Sequence, residues 1–409
     1  MQKSAEAGRK GPDVRSDCWI SISLTDAGGI KISINSKVKA LFGSAINNLI
    51  NDGLAFFEIT NAVVEIEDFG ALPFVLMARF ETVVRRLQVD RGREWLPEFR
   101  HICQYETNSE RLRRSRLYLP GNEPKFMLNA GLHKPDGIIL DLEDSVAPAE
   151  KDAAQLLVRN VLRQVNFYGV ERMVRINQLP QGLHDLKFIV PHNVHVILIP
   201  KCESAEQVNQ VDLEVQKILK ANKIISKISL MPIVETALGA IRAYEIASAS
   251  PNVMALTIGL EDYTADIGAP RTNEGRESFW ARCQVVNAAR AAGVLPIDTV
   301  FSDISDMDGL RNSVLEARAL GFEGKGCIHP RQIKVINEAF APEEAEIVKA
   351  KNIVLAFEKA EANGLGVVSL GSKMIDPPVV KRAQRTLQLA IASRKLPVNW
   401  RERGEHYVH

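Results

Sequence analysis

The pattern of hydrophobic and polar positions changes along the chain, and its first part predicts a small mixed domain. Apolar and polar residues alternate over residues 19–24 and 30–34, on either side of a turn at Gly28 and Gly29. Such alternation predicts two strands with one buried face, joined as a hairpin. A helix, a strand and a second helix follow up to residue 87. We expect an α+β domain over residues 18–90, after a polar and flexible N-terminus over residues 1–17.

From residue 114 onward, short apolar runs alternate with polar loops and with stretches rich in Ala, Glu and Lys. Eight runs have the length of buried strands: residues 116–119, 137–140, 172–177, 194–200, 228–235, 254–260, 293–297 and 326–328. Strand–helix alternation predicts a parallel sheet, and eight strands close a (β/α)8 barrel. An open doubly wound sheet is the competing fold, but no GxGxxG motif follows the first strand.

The predicted fold class is therefore α/β, with a TIM barrel over residues 114–340. A charged linker over residues 91–113 would separate the barrel from the N-terminal domain. Residues 341–409 would form a C-terminal helical extension.

Composition and charge exclude several classes of partner. The 409-residue chain has a formal net charge of +1, with 46% hydrophobic and 25% charged residues. We therefore expect neither nucleic acid nor an anionic membrane as a partner. No apolar run approaches the roughly 20 residues of a spanning helix. The five cysteines are scattered without a CxxC pair, which predicts free thiols and a cytoplasmic protein.

Charged side chains follow five of the predicted strands, at the point where each strand ends. They are, in chain order, Glu143 with Asp144, Arg175, Lys201, Glu235, and Glu261 with Asp262. Because the carboxyl ends of barrel strands meet at one mouth, we expect these groups to lie together. Two carboxylates from neighbouring strands suit a hard divalent cation such as Mg²⁺. An arginine across the mouth suits capture of a carboxylate or an oxo acid.

Each of these residues has a simpler structural explanation when it is taken alone. An acidic residue at a strand end is a common helix N-cap, and this applies to Asp144 and to Glu261-Asp262. Lys201 has the alternative of a solvated surface group. Their combination on successive strand ends, together with an arginine, favours a functional site.

A series of short motifs runs in order from residue 114 to about residue 383. They are Arg114-Ser115, Pro120-Gly121-Asn122, Asp141-Leu142-Glu143-Asp144, Arg175-Ile176-Asn177, Pro200-Lys201, Glu235-Thr236-Ala237, Glu261-Asp262, Ile328-His329-Pro330 and Met374-Ile375-Asp376. This series resembles the β-subunit (citryl lyase) family of citrate lyase. That family belongs with malyl-CoA and citramalyl-CoA lyases among the HpcH/HpaI-type aldolases. One departure is Gln155, which stands where the family usually has arginine.

The resemblance implies a carbon–carbon lyase and a role for each motif. Retro-Claisen cleavage of a 3-hydroxyacyl thioester would give an oxo acid such as oxaloacetate and an acetyl thioester enolate. Glu235 and Asp262 would ligate Mg²⁺, and Arg175 would bind the oxo acid. Asp376 would reach into a neighbouring subunit and return a proton to the enolate, so a homo-oligomer (a trimer or hexamer) is expected.

The remaining motif residues fall into two groups. Glu143 and Asp144 would be further catalytic carboxylates at the mouth. The group expected beside the coenzyme A or pantetheine arm and the substrate comprises Arg114, Asn122, Lys125 and Lys201.

The N-terminal domain resembles the acyl-carrier γ-subunit type shared by citrate lyase and malonate decarboxylase. The similarity is carried by Ser16-Asp17, by Gly70-Ala71-Leu72 and by Ala78-Arg79-Phe80-Glu81. In that family a serine two residues before the aspartate carries a phosphoribosyl-dephospho-coenzyme A arm. Here Arg15 stands at that place, and Ser16 lies one residue before Asp17. Either Ser16 carries the arm, or the carrier domain is unmodified and structural.

Other functions stay open from the sequence. The barrel could act as a lyase or thioesterase on free malyl-CoA or citramalyl-CoA, beside a vestigial carrier domain. A non-catalytic carrier and scaffold subunit is the alternative from another class. The expected partners are a small acyl thioester and an oxo acid, with or without a separate transferase subunit.

Overall fold

The structure, a computed structural model, describes residues 3–108, 110–362, 368–370 and 373–401. Its N-terminal domain packs two helices against a four-stranded sheet, as the α+β prediction required. The elements in chain order are β1 (Ser4–Gly8), β2 (Cys18–Leu24), β3 (Ile30–Ser36), α1 (Lys39–Phe56), β4 (Ala62–Asp68) and α2 (Pro73–Arg86).

The order of strands in this sheet corrects the predicted hairpin. The order is β1-β2-β4-β3, so β4 separates β2 from β3. β2 runs antiparallel to β4, whereas β3 runs parallel to β4 and is connected to it through α1. β4 takes the central place because Ala62, Val64 and Ile66 are buried, while β3 has only half-buried and exposed residues. The alternation in the sequence identified both strands but could not show that a later strand lies between them.

The segment before Asp17, which was expected to be flexible, contains a strand. β1 pairs antiparallel with β2 at the edge of the sheet. Beyond β1, the Arg9 amide donates to the Cys18 carbonyl at 3.1 Å and the Ser16 amide donates to the Phe69 carbonyl at 3.0 Å. The polar composition misled the prediction because an edge strand is held by backbone hydrogen bonds and needs few apolar side chains.

The second domain is a closed barrel of eight parallel strands, which confirms the predicted fold class. The strands are paired in the circular order β10-β11-β12-β5-β6-β7-β8-β9. Its elements are β5 (Ser115–Pro120), α3 (Pro124–Met127), β6 (Gly137–Asp141), α4 (Lys151–Gln164), β7 (Glu171–Arg175), α5 (Gln181–Ile189), β8 (Val196–Ile199), α6 (Ala205–Ala221), β9 (Ser229–Val234), α7 (Ala237–Ile241), α8 (Ala243–Ala247), β10 (Ala255–Ile258), α9 (Leu260–Asp266), α10 (Phe279–Ala292), β11 (Leu295–Asp298), α11 (Met307–Leu320), β12 (Gly324–Cys327) and α12 (Pro330–Phe340).

Two hydrophobic layers hold the barrel together. Inward-facing side chains such as Ile139, Met173, Leu198 and Ile233 fill its interior. A larger cluster lies between the strands and the surrounding helices. Because both faces of each strand are buried, the strands have the near-continuous apolar sequence that identified them.

Helix α2 belongs to the cores of both domains. Leu76 and Phe80 pack into the N-terminal core, whereas Phe74, Val75 and Ala78 pack into the outer cluster of the barrel. A helix that is apolar on opposite sides is buried on opposite sides. The N-terminal domain is therefore packed against the barrel through α2.

Two buried ion pairs reinforce this packing. Arg159 Nη2 of α4 lies 2.7 Å from Glu81 Oε2 of α2, and both side chains are fully buried. Arg79 of α2 pairs with Asp17 at 2.8 Å. Arg79 Nη2 also donates to the carbonyl of Asn122, in the loop after β5, at 3.0 Å.

The C-terminal segment is mainly two helices. They are α13 (Glu344–Ala362) and α14 (Pro377–Ala392), joined through β13 (Val368–Leu370) and β14 (Lys373–Ile375). Ile347, Val354 and Leu387 pack the helices together. Arg385 of α14 pairs with Glu323, the residue before β12, so this part of α14 lies near the amino end of the barrel. Among the described residues, none of the helices has the length and apolarity that crossing a membrane would require.

Candidate active site

A cavity of about 460 Å³ opens at the carboxyl ends of the barrel strands. This end is where barrel enzymes carry their chemistry. The charged and polar residues that line it include Arg116, Tyr118, Asp141, Asp144, Arg175, Glu235, Thr257, Asp262 and Asp298. The structure thus brings together side chains from most of the strand ends that the sequence identified.

Arg175, at the end of β7, is held by carboxylates from the end of β6 and from the loop that follows it. Its Nε and Nη2 donate to the two oxygens of Asp141, both at 2.7 Å. Its Nη1 lies 2.9 Å from Glu143 and 3.5 Å from Asp144. Burial alone would raise the pKa of Asp141, but the hydrogen bonds and charge of Arg175 outweigh it, so that pKa is lowered. Burial raises the pKa of Glu143.

Glu235 follows β9 and is buried beside the loop after β8. Its Oε2 accepts the Lys201 backbone N–H at 2.8 Å. Its other oxygen packs on Gly259, where a Cβ atom would approach within 2.5 Å. The pKa of Glu235 is raised to about 8, mainly by burial and also by the charges of Glu143 and Asp262, against the lowering effects of the Lys201 N–H and of Arg175. Glu235 is therefore held in a fixed position, and no cation of the described residues forms an ion pair with it.

Asp262 lies in the first turn of α9, directly after β10. In this structure its Oδ1 pairs with the Lys201 ammonium at 3.0 Å. Burial alone would lower the pKa of Lys201, but this contact with Asp262 raises it. Lys201 thus lies at the mouth, in contact with a predicted metal ligand.

The donor set fits Mg²⁺ in chemistry and in charge. Among the described residues, no group of three His, Cys, Asp or Glu could enclose a metal. Glu235 and Asp262 offer two carboxylates, and Mg²⁺ commonly takes one or two while keeping waters or substrate oxygens. Carboxylates also outnumber cations in and around the cavity, since five of them lie near Arg175 and Lys201 and one further cation, Arg116, lies deeper. A divalent cation would reduce this excess of negative charge.

Two side chains that the sequence did not identify as functional fix the loop after β6. The Lys151 ammonium donates to the carbonyls of Leu142 at 3.1 Å and Glu143 at 3.0 Å. Asp141 orients Arg175 as described above. The sequence did contain a signal for Asp141 in the alternation of side chains along a strand. Asp141 lies two residues after the inward-facing Ile139, so its side chain faces the same side.

Gln155, the departure noted in the sequence, lies beneath this loop. Its side-chain amide donates to Asp185 Oδ1 at 2.5 Å. Asp185 Oδ2 accepts the backbone N–H of Asn177, two residues after Arg175, at 2.7 Å. Burial raises the pKa of Asp185. Gln155, an uncharged side chain, therefore supports the mouth through a hydrogen bond and not through an ion pair.

The loop after β5 lies on the mouth side and contacts the N-terminal domain. Asn122 is buried, and its side-chain oxygen has no hydrogen-bond partner among the residues that the structure describes. The Lys125 ammonium lies 3.2 Å from Glu123 Oε2, and Glu123 also pairs with Arg9 of the N-terminal domain. Asn122 and Lys125 therefore remain candidates for contact with a thioester arm.

Arg114 requires a correction. It precedes β5, whose six residues extend about 20 Å, so it lies at the amino end of the barrel, opposite the mouth. Its Nε donates to Asp136 at 2.8 Å, and its Nη1 donates to the Asn337 carbonyl at 3.4 Å. This position contradicts the prediction that Arg114 lies beside the thioester arm.

Asp376 and Ser16 lie outside the cavity of their own chain. Asp376 caps α14, where its Oδ1 accepts the Val379 N–H at 3.1 Å, and it is not among the described residues that line the cavity. A role in a neighbouring subunit stays a prediction. Ser16 is half-buried and has a left-handed backbone with φ of +56°. It precedes Asp17, whose partner Arg79 contacts the loop after β5.

The comparisons with known proteins identify the family of the barrel domain. The family model described as HpcH/HpaI aldolase/citrate lyase matches residues 114–330. The citrate lyase subunit beta of Leuconostoc mesenteroides is 40% identical over 70% of this chain and 96% of its own length. The mitochondrial citramalyl-CoA lyase of Homo sapiens is 34% identical over 68% of this chain and 85% of its own length.

A solved structure and a second family model complete the comparison. The protein CitE from Mycobacterium tuberculosis, in complex with magnesium, acetoacetate and coenzyme A, superposes with a TM-score of 0.59. It is 30% identical and covers 69% of this chain and 99% of its own. The model of the malonate decarboxylase delta subunit matches residues 7–87, which confirms a carrier-like N-terminal domain.

The barrel, its mouth and these relatives define a carbon–carbon lyase. The chain belongs to the HpcH/HpaI aldolase/citrate lyase family. The predictions of fold, enzyme class and family made from the sequence are therefore confirmed.

Proposed function

We propose that the protein is a Mg²⁺-dependent lyase that cleaves a citryl-type 3-hydroxyacyl thioester. The products would be an oxo acid such as oxaloacetate and an acetyl thioester. The observation that carries this proposal is the placement of Arg175, Glu235 and Asp262 around one cavity. The names of the relatives, citrate lyase subunit beta and citramalyl-CoA lyase, support this class of substrate.

Each side chain at the mouth has a role in this reaction. Mg²⁺ held by Glu235 and Asp262 would supply a Lewis acid that stabilises charge on the oxo-acid oxygens. Arg175 would bind the carboxylate of the oxo acid with the N–H donors that Asp141 leaves unused. Glu143 or Asp144 would accept the proton of the substrate hydroxyl as the carbon–carbon bond breaks. Burial raises the pKa of Glu143, which strengthens it as a base, and Asp144 lines the cavity directly.

The acetyl thioester leaves as an enolate and needs a proton on its α-carbon. We assign this proton to Asp376 of a neighbouring subunit, since Asp376 does not line the cavity of its own chain. Mixing two inactive variants, Asp376→Asn and Asp262→Ala, tests the assignment. If the site is shared, mixed oligomers regain activity because some sites combine an intact Asp262 with an intact Asp376. No recovery after subunit exchange, checked by native mass spectrometry with one variant isotopically labelled, would place both groups in one chain.

The thioester is either free coenzyme A or an arm attached to Ser16. The contact of the N-terminal domain with the loop after β5 favours the attached arm, because it brings the segment of Ser16 towards the mouth. Intact-mass measurement of protein from its native source tests this choice. An added mass that maps to Ser16 supports the arm, and an unmodified mass with activity on free thioesters supports coenzyme A.

The decisive assay for the reaction is release of the oxo acid from malyl-, citramalyl- and citryl-CoA, with and without Mg²⁺. We expect Mg²⁺-dependent release from citryl-CoA and its loss in the Asp262→Ala variant. Glu338→Ala, which removes an exposed carboxylate on α12, is the matched control and should keep full activity. Release that does not depend on Mg²⁺, or that survives in Asp262→Ala, would contradict the proposed site.

A further inference from the structure

Arg116 is a buried arginine in the interior of the barrel, deep in the mouth cavity. It lies on β5, two residues before the inward-facing Tyr118, and it lines the same cavity as Arg175 and Glu235. Only 1% of its surface is exposed. Arg116 pairs in register with Gly137, and Arg175 pairs four residues further along β6. Arg116 therefore lies two inward-facing layers deeper than Arg175.

The charge of Arg116 has no anionic partner among the described residues. Its Nη1 contacts the Met231 sulfur at 3.9 Å, and its Nη2 has no hydrogen-bond partner. Two other buried arginines differ in this respect, since Arg79 pairs with Asp17 and Arg159 with Glu81. Burial lowers the pKa of Arg116 to about 10, so its side chain stays charged at neutral pH. An unpaired buried charge is costly and is typical of a place where a ligand supplies the partner.

The neighbouring strands leave room for this side chain. In the barrel register Arg116 lies between Gly137 on β6 and Gly326 on β12. A Cβ atom at Gly137 would lie 3.2 Å from Arg116 Cγ, and one at Gly326 would lie 3.2 Å from the Tyr118 ring. Two glycines at this level thus let a long cationic side chain occupy a barrel interior that is otherwise filled by apolar residues.

Among the described residues, none of the carboxylates that line the cavity pairs with Arg116. Asp298 pairs with Lys325 at 2.7 Å, and Asp141 pairs with Arg175. Glu235 accepts the Lys201 N–H near the proposed metal. An anion for Arg116 would therefore have to come from the substrate.

We propose that Arg116 binds a second carboxylate of the substrate and selects thioesters whose oxo-acid half is a dicarboxylate. This inference rests on the proposed lyase function and deepens it. Oxaloacetate carries such a second carboxylate on a carboxymethyl group, whereas pyruvate has a methyl group in place of the carboxymethyl group. Arg175 would hold the carboxylate beside the metal, and Arg116 would hold the one that extends down the barrel.

The test compares the binding of oxaloacetate and pyruvate to the full-length protein in the presence of Mg²⁺, by calorimetry. We expect wild type to prefer oxaloacetate. Arg116→Met should lose roughly 10- to 100-fold of its oxaloacetate affinity, the range expected for hydrogen bonds to a charged group. Its affinity for pyruvate should stay within about twofold. Arg116→Lys, which keeps the charge with fewer donors, should fall between the two.

A thermal-unfolding measurement separates this role from a structural one. Because Arg116→Met removes an unpaired buried charge, its midpoint should equal or exceed that of wild type. A lower unfolding midpoint together with an equal loss of affinity for oxaloacetate and for pyruvate would overturn the proposal. A ratio of the two affinities that equals that of wild type would also overturn it. If wild type binds neither oxo acid with Mg²⁺, the proposed function fails first. If Asp262→Ala loses affinity for both oxo acids and Arg116→Met does not, the proposed function stands. The ratio of the two affinities in Arg116→Met then decides whether Arg116 binds the second carboxylate.

Discussion

The ion pair between Glu81 and Arg159 joins the two domains, and its two partners should differ strongly in their contribution to stability. Glu81 accepts from Arg159 Nη1 at 3.0 Å and from Nη2 at 2.7 Å. Glu81 also accepts from Arg85 at 2.9 Å and from the Trp95 amide at 3.0 Å. Without Glu81, Arg159 keeps two partners among the described residues, Asn160 Oδ1 at 3.0 Å and Glu94 Oε1 at 3.4 Å. If the ion pair is broken, Glu81 therefore keeps a cation and an N–H donor as close partners, whereas Arg159 keeps a neutral amide and a more distant carboxylate.

This asymmetry sets the expected magnitudes. Glu81→Leu leaves a fully buried guanidinium without its main partner, which should lower the free energy of unfolding by about 3–5 kcal/mol. Arg159→Met leaves a carboxylate that still binds Arg85 and the Trp95 amide, so the expected loss is smaller, about 1–3 kcal/mol. The double variant should lose less than the sum of the two single losses, because it leaves no unpaired charge.

Urea unfolding followed by far-UV circular dichroism and by tryptophan fluorescence measures these differences. The matched control is Asp152→Asn, which removes an exposed ion pair with Arg86 at the same domain boundary and should lose under about 1 kcal/mol. The four tryptophans are spread over the N-terminal domain, the barrel and the C-terminal segment, so coincident curves from the two probes would show a single unfolding transition. If Glu81→Leu loses no more than Arg159→Met or than the control, the reasoning from buried charge is refuted.

Three further predictions concern pH and the mouth. Burial and the charge of Arg172 lower the pKa of His195 to about 4, against an ordinary value near 6.5. The contribution of the neutral side chain to stability is therefore complete above pH 6.5 and is lost as the pH falls towards 4. His195→Gln should remove about 3 kcal/mol of this pH-dependent change in urea unfolding; an unchanged pH profile would contradict the neutral histidine. Gly259→Ala should weaken Mg²⁺ binding roughly 10- to 100-fold, since its Cβ atom would displace Glu235; calorimetry with unaltered affinity would refute this. Asp141→Asn should weaken the contacts that orient Arg175 and lower kcat/KM about 100-fold. A preserved unfolding midpoint is the control.

The barrel and most of its mouth could be predicted because both follow from local sequence. Strands buried on both faces are apolar runs, and residues at their carboxyl ends must meet. This rule alone brought Arg175, Glu235 and Asp262 together, as the cavity shows. The prediction for Arg114 was wrong for the same geometric reason. One strand separates Arg114 from Asn122, so the two residues are close in the chain but lie at opposite ends of the barrel.

Features that depend on pairing between distant segments could not be predicted. The place of β4 between β2 and β3 follows from the burial of β4, which the alternation of β2 and β3 does not contain. Arg116 was assigned to a strand, but a charged residue within an apolar run does not reveal that it faces the interior. Its two glycine neighbours come from β6 and β12, which only the closed barrel brings to either side of it.

The sequence of α2 did contain a signal for its position. Helix α2 is apolar almost all round, and its charged residues Arg79 and Glu81 lie among buried neighbours. Such charges need partners, and here they are Asp17 within the N-terminal domain and Arg159 of the barrel. Because these buried contacts hold the N-terminal domain against the barrel, we expect it to keep one position relative to the barrel. If Ser16 carries an arm, the acyl group must therefore reach the mouth through the length and motion of the arm itself, and delivery from an outside transferase would require that partner to come to this face of the barrel.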